Sequence, residues 1–133
     1  MIQWDEKYSV RIQSIDKQHM ELFKLLNNLL EAMKQGQAAP VLNSIILDLE
    51  YYALNHFQKE EYFFHRFNYA DKAKHIEEHR LFTQKISQLK SDLKSGKITV
   101  TFELLTFIKD WASHHILEED HKYMDCFHQN GLK

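Results

Sequence analysis

Apolar side chains recur at three- and four-residue spacing through most of the chain, the pattern of helices that each bury one stripe. The run Ile15, His19, Leu22, Phe23, Leu26, Leu29, Leu30 and Met33 predicts a helix from about 16 to 35. Gly36 can close it in a left-handed cap. Leu42, Ile45, Ile46, Leu49, Tyr52, Ala53, His56, Glu60 and Phe63 predict a second over about 40 to 65, with Pro40 at its first position, where an N–H has no internal use. His75, His79, Phe82, Ile86, Leu89 and Leu93 mark a third over about 71 to 95, opened near Asp71 and broken by Gly96. Phe102, Leu105, Ile108, Trp111, Ala112, His115 and Ile116 mark a fourth over about 100 to 124, with Thr99 or Thr101 available to cap it.

Residues 1 to 14 carry Trp4, Tyr8, Val10 and Ile12 without helical period, which predicts an extended arm lying back over the helices. Short connections around 36–39, 66–70 and 95–99 make successive helices antiparallel neighbours. The expected fold is all-α: an antiparallel up-down-up-down four-helix bundle with an N-terminal arm, one domain over residues 1–133. Helices of this length span about 30–38 Å, so a site at mid-length is shielded from bulk water.

Seventeen basic and nineteen acidic side chains leave a net charge of −2, which offers no field to draw in nucleic acid or an anionic membrane. No stretch approaches the roughly 18 apolar residues of a membrane span, and the opening MIQWDEKYSVRIQ has no secretory leader. A soluble cytoplasmic protein is expected, and a monomer, since no further apolar helix face stands out. Cys126 is the single cysteine, so it forms no intrachain disulfide, and near an expected flexible C-terminus it reads as incidental. Nine histidines are the compositional outlier.

The informative residues interrupt the hydrophobic stripes without leaving them. His19 is either a core histidine with one hydrogen bond or a metal ligand. His56 and Glu60 lie one turn apart on a face shared with Leu49, Tyr52 and Ala53, where a buried carboxylate costs several kcal/mol unless a cation or several donors compensate. His75 and His79 share a face with Phe82 and Ile86, while Glu77 and Glu78 fall on other faces and read as solvated acids. His115 and Asp120 are five residues apart, about 140° apart on an α-helix, and cannot grip one metal as a simple pair. Asp120 belongs either to the solvated run Glu118, Glu119, Asp120 or to the interior, reaching across to a second metal.

Taken together, five histidines and two carboxylates on four core stripes demand internal compensation, which metal supplies. Zinc usually takes four ligands, and calcium and magnesium prefer oxygen, so seven mixed nitrogen and oxygen donors point to two transition ions, with a non-haem diiron pair the best fit. The two Glu-x-x-His segments of ferritin-like diiron bundles are not both present, since that spacing occurs once, at Glu118 and His121.

These residues resemble the hemerythrin family, specifically its single-domain bacterial branch. The likeness runs through Trp4 and Asp5, SVRIQSIDKQH ending at His19, HFQKEE from His56, YADKAKHIEEH ending at His79 and WASHHILEED ending at Asp120. The resemblance implies His75, His79 and His115 on one iron, His19 and His56 on the other, and Glu60, Asp120 and a solvent-derived oxo or hydroxo bridge between them. It also implies an open position for dioxygen on the iron with fewer histidines. Phe57, Trp111 and Ala112 are either pocket lining or plain packing. The chain departs from the family pattern at Arg11, where glycine is frequent, at Ala70, where proline commonly follows Tyr69, at Phe64, and at Ala112, where leucine often faces the pocket.

The expected function is therefore reversible dioxygen binding for storage, transport or delivery, with an unidentified oxygen recipient or reductant as partner, and no enzymatic activity. The alternatives are an oxygen or redox sensor acting through a partner protein, and a diiron oxidase- or peroxidase-type enzyme. His65, His114, His121 and His128 fall outside the ligand pattern.

Overall fold

The computed structural model describes residues 3–133, so the first two residues of the predicted arm lie outside the described residues. The arm is extended except for one 3-10 turn at Glu6–Tyr8, capped by Asp5, whose carboxylate accepts from the Lys7 amide at 2.9 Å. Four long helical elements follow: α1 (Gln13–Lys34), α2 (Ala38–Arg66), α3 (Lys72–Lys94) and α4 (Val100–Asp110), the last continuing without a break into a π-helical segment, Trp111–Asp120. A short α5 (Met124–Gln129) ends the chain in place of a flexible tail, with Phe127 fully buried.

α1 begins at Gln13, inside the stretch expected to be arm, because Asp16 in its first turn ties the two together. Its carboxylate accepts from the Ser9 hydroxyl at 2.6 Å and the Val10 amide at 2.9 Å. Trp4 and Tyr8 then pack their rings against Phe23, and Val10 and Ile12 are fully buried.

α1, α2 and α3 end in the same way. Gly36 and Gly96 hold φ at 67° and 86°, as their spacing predicts, and the amides around them return to the last turn, Gln37 N to Ala32 O at 2.7 Å and Lys97 N to Asp92 O at 3.0 Å. The turn after α2 has no glycine. Asn68 takes the left-handed conformation at φ 50°, Tyr69 N bonds Phe64 O at 2.9 Å, and the Tyr69 and Phe64 rings pack 5.2 Å apart.

Several expectations are corrected. Pro40 is the third residue of α2, still within the turn whose N–H groups lack internal partners. Asp71 and Thr99 occupy N-cap positions without capping through their side chains, and the Thr99 hydroxyl donates to Glu103 instead, at 3.2 Å. Phe63 is half-buried and Phe64 takes the core position, while Phe102 is 68% exposed and Leu104 is buried in its place. The predicted and real faces differ by one residue of helical phase in α2 and by two in α4, and large side chains on both sides of the boundary blurred it. Leu47, Tyr51, Leu54 and Tyr62 form an exposed apolar strip on the outer side of α2 that the reading for a monomer overlooked.

α1 packs on α2, α2 on α3, α3 on α4, and α4 closes back on α1. The core is divided in two. The larger part, from Leu22 and Ile46 to Leu104 and Ile116, fills one end. A smaller aromatic part, built on Phe64, Tyr69, Tyr123 and Phe127, fills the other with Val10, Ile12 and Ile15. Between them lies a buried polar layer. Among the described residues no helix is long and apolar enough to cross a membrane.

Candidate metal centre

Four helical elements deliver side chains to that layer: α1 His19, α2 His56 and Glu60, α3 His75 and His79, the π segment His115 and Asp120. None is more than 2% exposed. Their donor atoms form two groups, Glu60, His75, His79 and His115 in one and His19, His56, Glu60 and Asp120 in the other, with the donors of each group within 4.8 Å of one another.

Asp120 spreads its two oxygens across the groups. Oδ1 lies 2.8 Å from His75 Nε2 and 3.0 Å from His115 Nε2, while Oδ2 lies 3.0 Å from His19 Nε2. Glu60 serves both groups through Oε1, at 3.0 Å from His79 Nε2 and 3.4 Å from His56 Nε2. Its Oε2 accepts a hydrogen bond from the buried Tyr123 hydroxyl.

Three imidazoles are oriented from outside. His56 Nδ1–H donates to Gln18 Oε1 at 2.7 Å, His79 Nδ1–H to Glu61 Oε2 at 2.8 Å and His115 Nδ1–H to Glu78 Oε1 at 2.9 Å. With Nδ1 carrying the proton, each Nε2 turns a lone pair inward. Glu60 Oε1, both Asp120 oxygens and the Nε2 atoms of His75, His79 and His115 accordingly have no aligned hydrogen-bond partner, although N–O approaches of about 3 Å surround them. His19 and His56 bring two Nε2 atoms to 3.0 Å. Neighbouring donors at right angles around an ion, with bonds of about 2.1 Å, stand about 3 Å apart, so this layer fits a pair of metal ions.

The charges show the same demand. Burial and the nearby Asp120 oppose ionisation of Glu60, yet His56 and His79 hold its pKa down at about 2. Burial likewise opposes ionisation of Asp120, and His115, His19 and His75 outweigh it, keeping the carboxyl well below the usual carboxylate range. His56 is lowered to about 3, chiefly by burial. Burial works against a charged His115 too, but Asp120 and Glu78 raise it to about 10.

The geometry of Asp120 comes from the winding of its helix. In the π-helical segment hydrogen bonds run from i to i+5, so the residue five positions on stacks above its predecessor. That brings together two side chains that α-winding would hold apart. Of the acidic run, Glu118 is exposed beside His114, Glu119 is mostly buried with Lys122 at 2.9 Å, and Asp120 is fully inside.

Gln18, Glu61, Glu78 and Tyr123 were not anticipated, and Glu78 is no solvated acid. A signal for three of them lay in the sequence. Gln18 adjoins His19, Glu61 adjoins Glu60 and Glu78 adjoins His79, and each accepts the Nδ1 proton of a histidine on the next helix.

Residues 10–127 match the model of the hemerythrin HHE cation binding domain. The chain belongs to the hemerythrin family. It is 29% identical to a bacteriohemerythrin of Clostridium acetobutylicum over 94% of this chain and 100% of that protein. It is also 32% identical to a hemerythrin-like protein of Naegleria gruberi over 90% of this chain and 88% of the relative. A crystal structure of wild-type hemerythrin superposes with a TM-score of 0.85 at 25% identity, covering 95% of this chain and 97% of the other.

Within this hemerythrin fold the three suggested lining residues stand at the layer's edge nearest the large core. Phe57 stacks on His79 at 3.9 Å and Trp111 on His115 at 3.8 Å, so both pack directly against imidazoles of the three-histidine group. Ala112 is buried in the same cluster as both rings.

Proposed function

We propose that this protein holds two iron ions in the polar layer and binds dioxygen reversibly there, for storage, transport or delivery. His75, His79 and His115 are assigned to one ion and His19 and His56 to the other. Glu60, Asp120 and a solvent-derived oxo or hydroxo group are shared between them. The observation that carries this reading is the convergence of seven buried donor side chains, among which the Nε2 atoms of His75, His79 and His115, Glu60 Oε1 and both Asp120 oxygens lack aligned hydrogen-bond partners, inside a hemerythrin fold. The irons would supply electrons and an open coordination position.

The chain's own residues hold and orient the donors and keep water out. Gln18, Glu61 and Glu78 fix the imidazole tautomers, Tyr123 holds Glu60, and the stacked rings of Phe57 and Trp111 close the layer on the large-core side. All seven donors come from one chain, which supports a monomer as the working unit, and a cytoplasmic setting with an oxygen recipient or reductant as partner completes the proposal.

The test is metal content together with absorption spectra of anaerobically reduced protein before oxygen, after oxygen and after deoxygenation. Two irons per chain with a visible band that appears and disappears reversibly is the expected result. Two irons with irreversible oxidation would favour a sensor or an oxidase- or peroxidase-type enzyme, and no stoichiometric iron would overturn the reading.

A further inference from the structure

The hydrogen bonds behind the donors are distributed unevenly. Behind the three-histidine group stand two carboxylates, Glu61 on His79 and Glu78 on His115, both partly buried. Behind the other group stands one neutral amide, Gln18 on His56, and His19 Nδ1 has no partner. Glu60 has a donor atom in both groups, and Asp120 reaches His19 through one oxygen and His75 and His115 through the other, so neither carboxylate separates them.

We propose that Gln18, Glu61 and Glu78 are positioning residues that make the two metal positions unequal, so that the three-histidine position fills first and the two-histidine position carries the exchangeable ion. This rests on the two-metal reading above. A carboxylate accepting the Nδ1 proton is a charge-assisted acceptor that pushes electron density toward Nε2 and makes that nitrogen a stronger ligand. An amide accepts the same proton without a charge, so His56 is oriented as firmly as His79 and His115 but is a weaker base. His19 is neither oriented nor strengthened from outside. The inequality therefore adds to the difference of three imidazoles against two, and its size depends on residues that touch no metal.

Isosteric changes separate the two contributions. Glu61→Gln and Glu78→Gln remove charge behind the three-histidine position and keep an acceptor oxygen, while Gln18→Glu adds charge behind the two-histidine position. Gln18 lines the open groove between α1 and α2, where an added carboxylate reaches solvent.

The experiment is a titration of metal-free protein with Co²⁺ against a competing chromophoric chelator, giving two stepwise constants for each form, with thermal melts recorded in parallel. The wild type should bind two ions with unequal constants. Glu61→Gln and Glu78→Gln should each weaken the tighter constant by about 10- to 100-fold, and Gln18→Glu should tighten the weaker one by about tenfold. The last is a gain that misfolding cannot imitate. Unchanged constants in Gln18→Glu, or a loss in the acidic variants that falls on the weaker constant, would overturn the proposal while leaving the two-metal reading intact. A wild type that binds fewer than two ions would overturn both.

Discussion

His115 Nε2 lies 3.0 Å from Asp120 Oδ1, although the two residues would be about 140° apart on an α-helix. π-helical winding is rare and is held here over ten residues, Trp111–Asp120. Both side chains bring donor atoms from this segment into the polar layer, and a metal pair held there would tie the segment to α1, α2 and α3. Metal removal should therefore loosen this segment more than the rest. Amide exchange of metal-free against iron-loaded protein should show protection lost over 111–120 and retained around Ile46 and Leu49 in the large core. Equal protection of 111–120 in both forms would mean that packing alone sustains the winding.

Tyr123 is fully buried and its hydroxyl donates to the one Glu60 oxygen that does not face the imidazoles. In Tyr123→Phe that oxygen loses its partner inside the protein. Stability of the metal-free protein should fall by about 1.5–3 kcal/mol, the range for a hydrogen bond to a charged group, read as a lower denaturant midpoint at unchanged slope. Two metals per chain should still bind, since the tyrosine is not among the proposed ligands.

The sequence made the bundle and six of its seven polar intruders legible because each of the six interrupts an apolar stripe, and helical periodicity records such breaks. The local period of one segment escaped it. Asp120 could be placed inside or outside, since an α-helical wheel cannot represent a stretch wound to i+5. The outer acceptors escaped for a different reason. Glu61 and Glu78 lie partly exposed on the flanks of their own helices, and their purpose is visible only from the neighbouring helix whose histidine they hold. Tyr123 gave no periodic signal because it lies beyond the π segment, in the turn before α5.

Arg11 adopts φ 58°, a left-handed conformation that glycine enters without strain. Its amide donates to Ser9 Oγ and its carbonyl accepts from His128 Nε2, both at 3.0 Å, and glycine would keep both bonds. Relief of roughly 1–2 kcal/mol of strain, less the entropy of a freer unfolded chain, should leave Arg11→Gly more stable by about 0.5–1 kcal/mol. Thermal unfolding should show a melting temperature raised by about 2–4 °C. A lower value would mean that the arginine side chain makes a contact worth more than the strain.

Ala112 sits in the apolar cluster with Phe57, Trp111 and Ile116, against the layer that holds the proposed irons. A side chain of this size leaves less apolar bulk over the site than leucine would. In Ala112→Leu the added methylenes must either fill space beside the two stacked rings or displace them. Displacement would cost about 1–3 kcal/mol, as overpacking does, whereas filling would cost little and would narrow the path for dioxygen and water. Oxygen exchange and autoxidation should then be slower in Ala112→Leu than in the wild type, measured by stopped-flow mixing and by the decay of the oxygenated spectrum. A stability loss with unchanged rates would show that the position is packing alone. Slower rates at unchanged stability would show that the alanine sets how readily small molecules reach the centre.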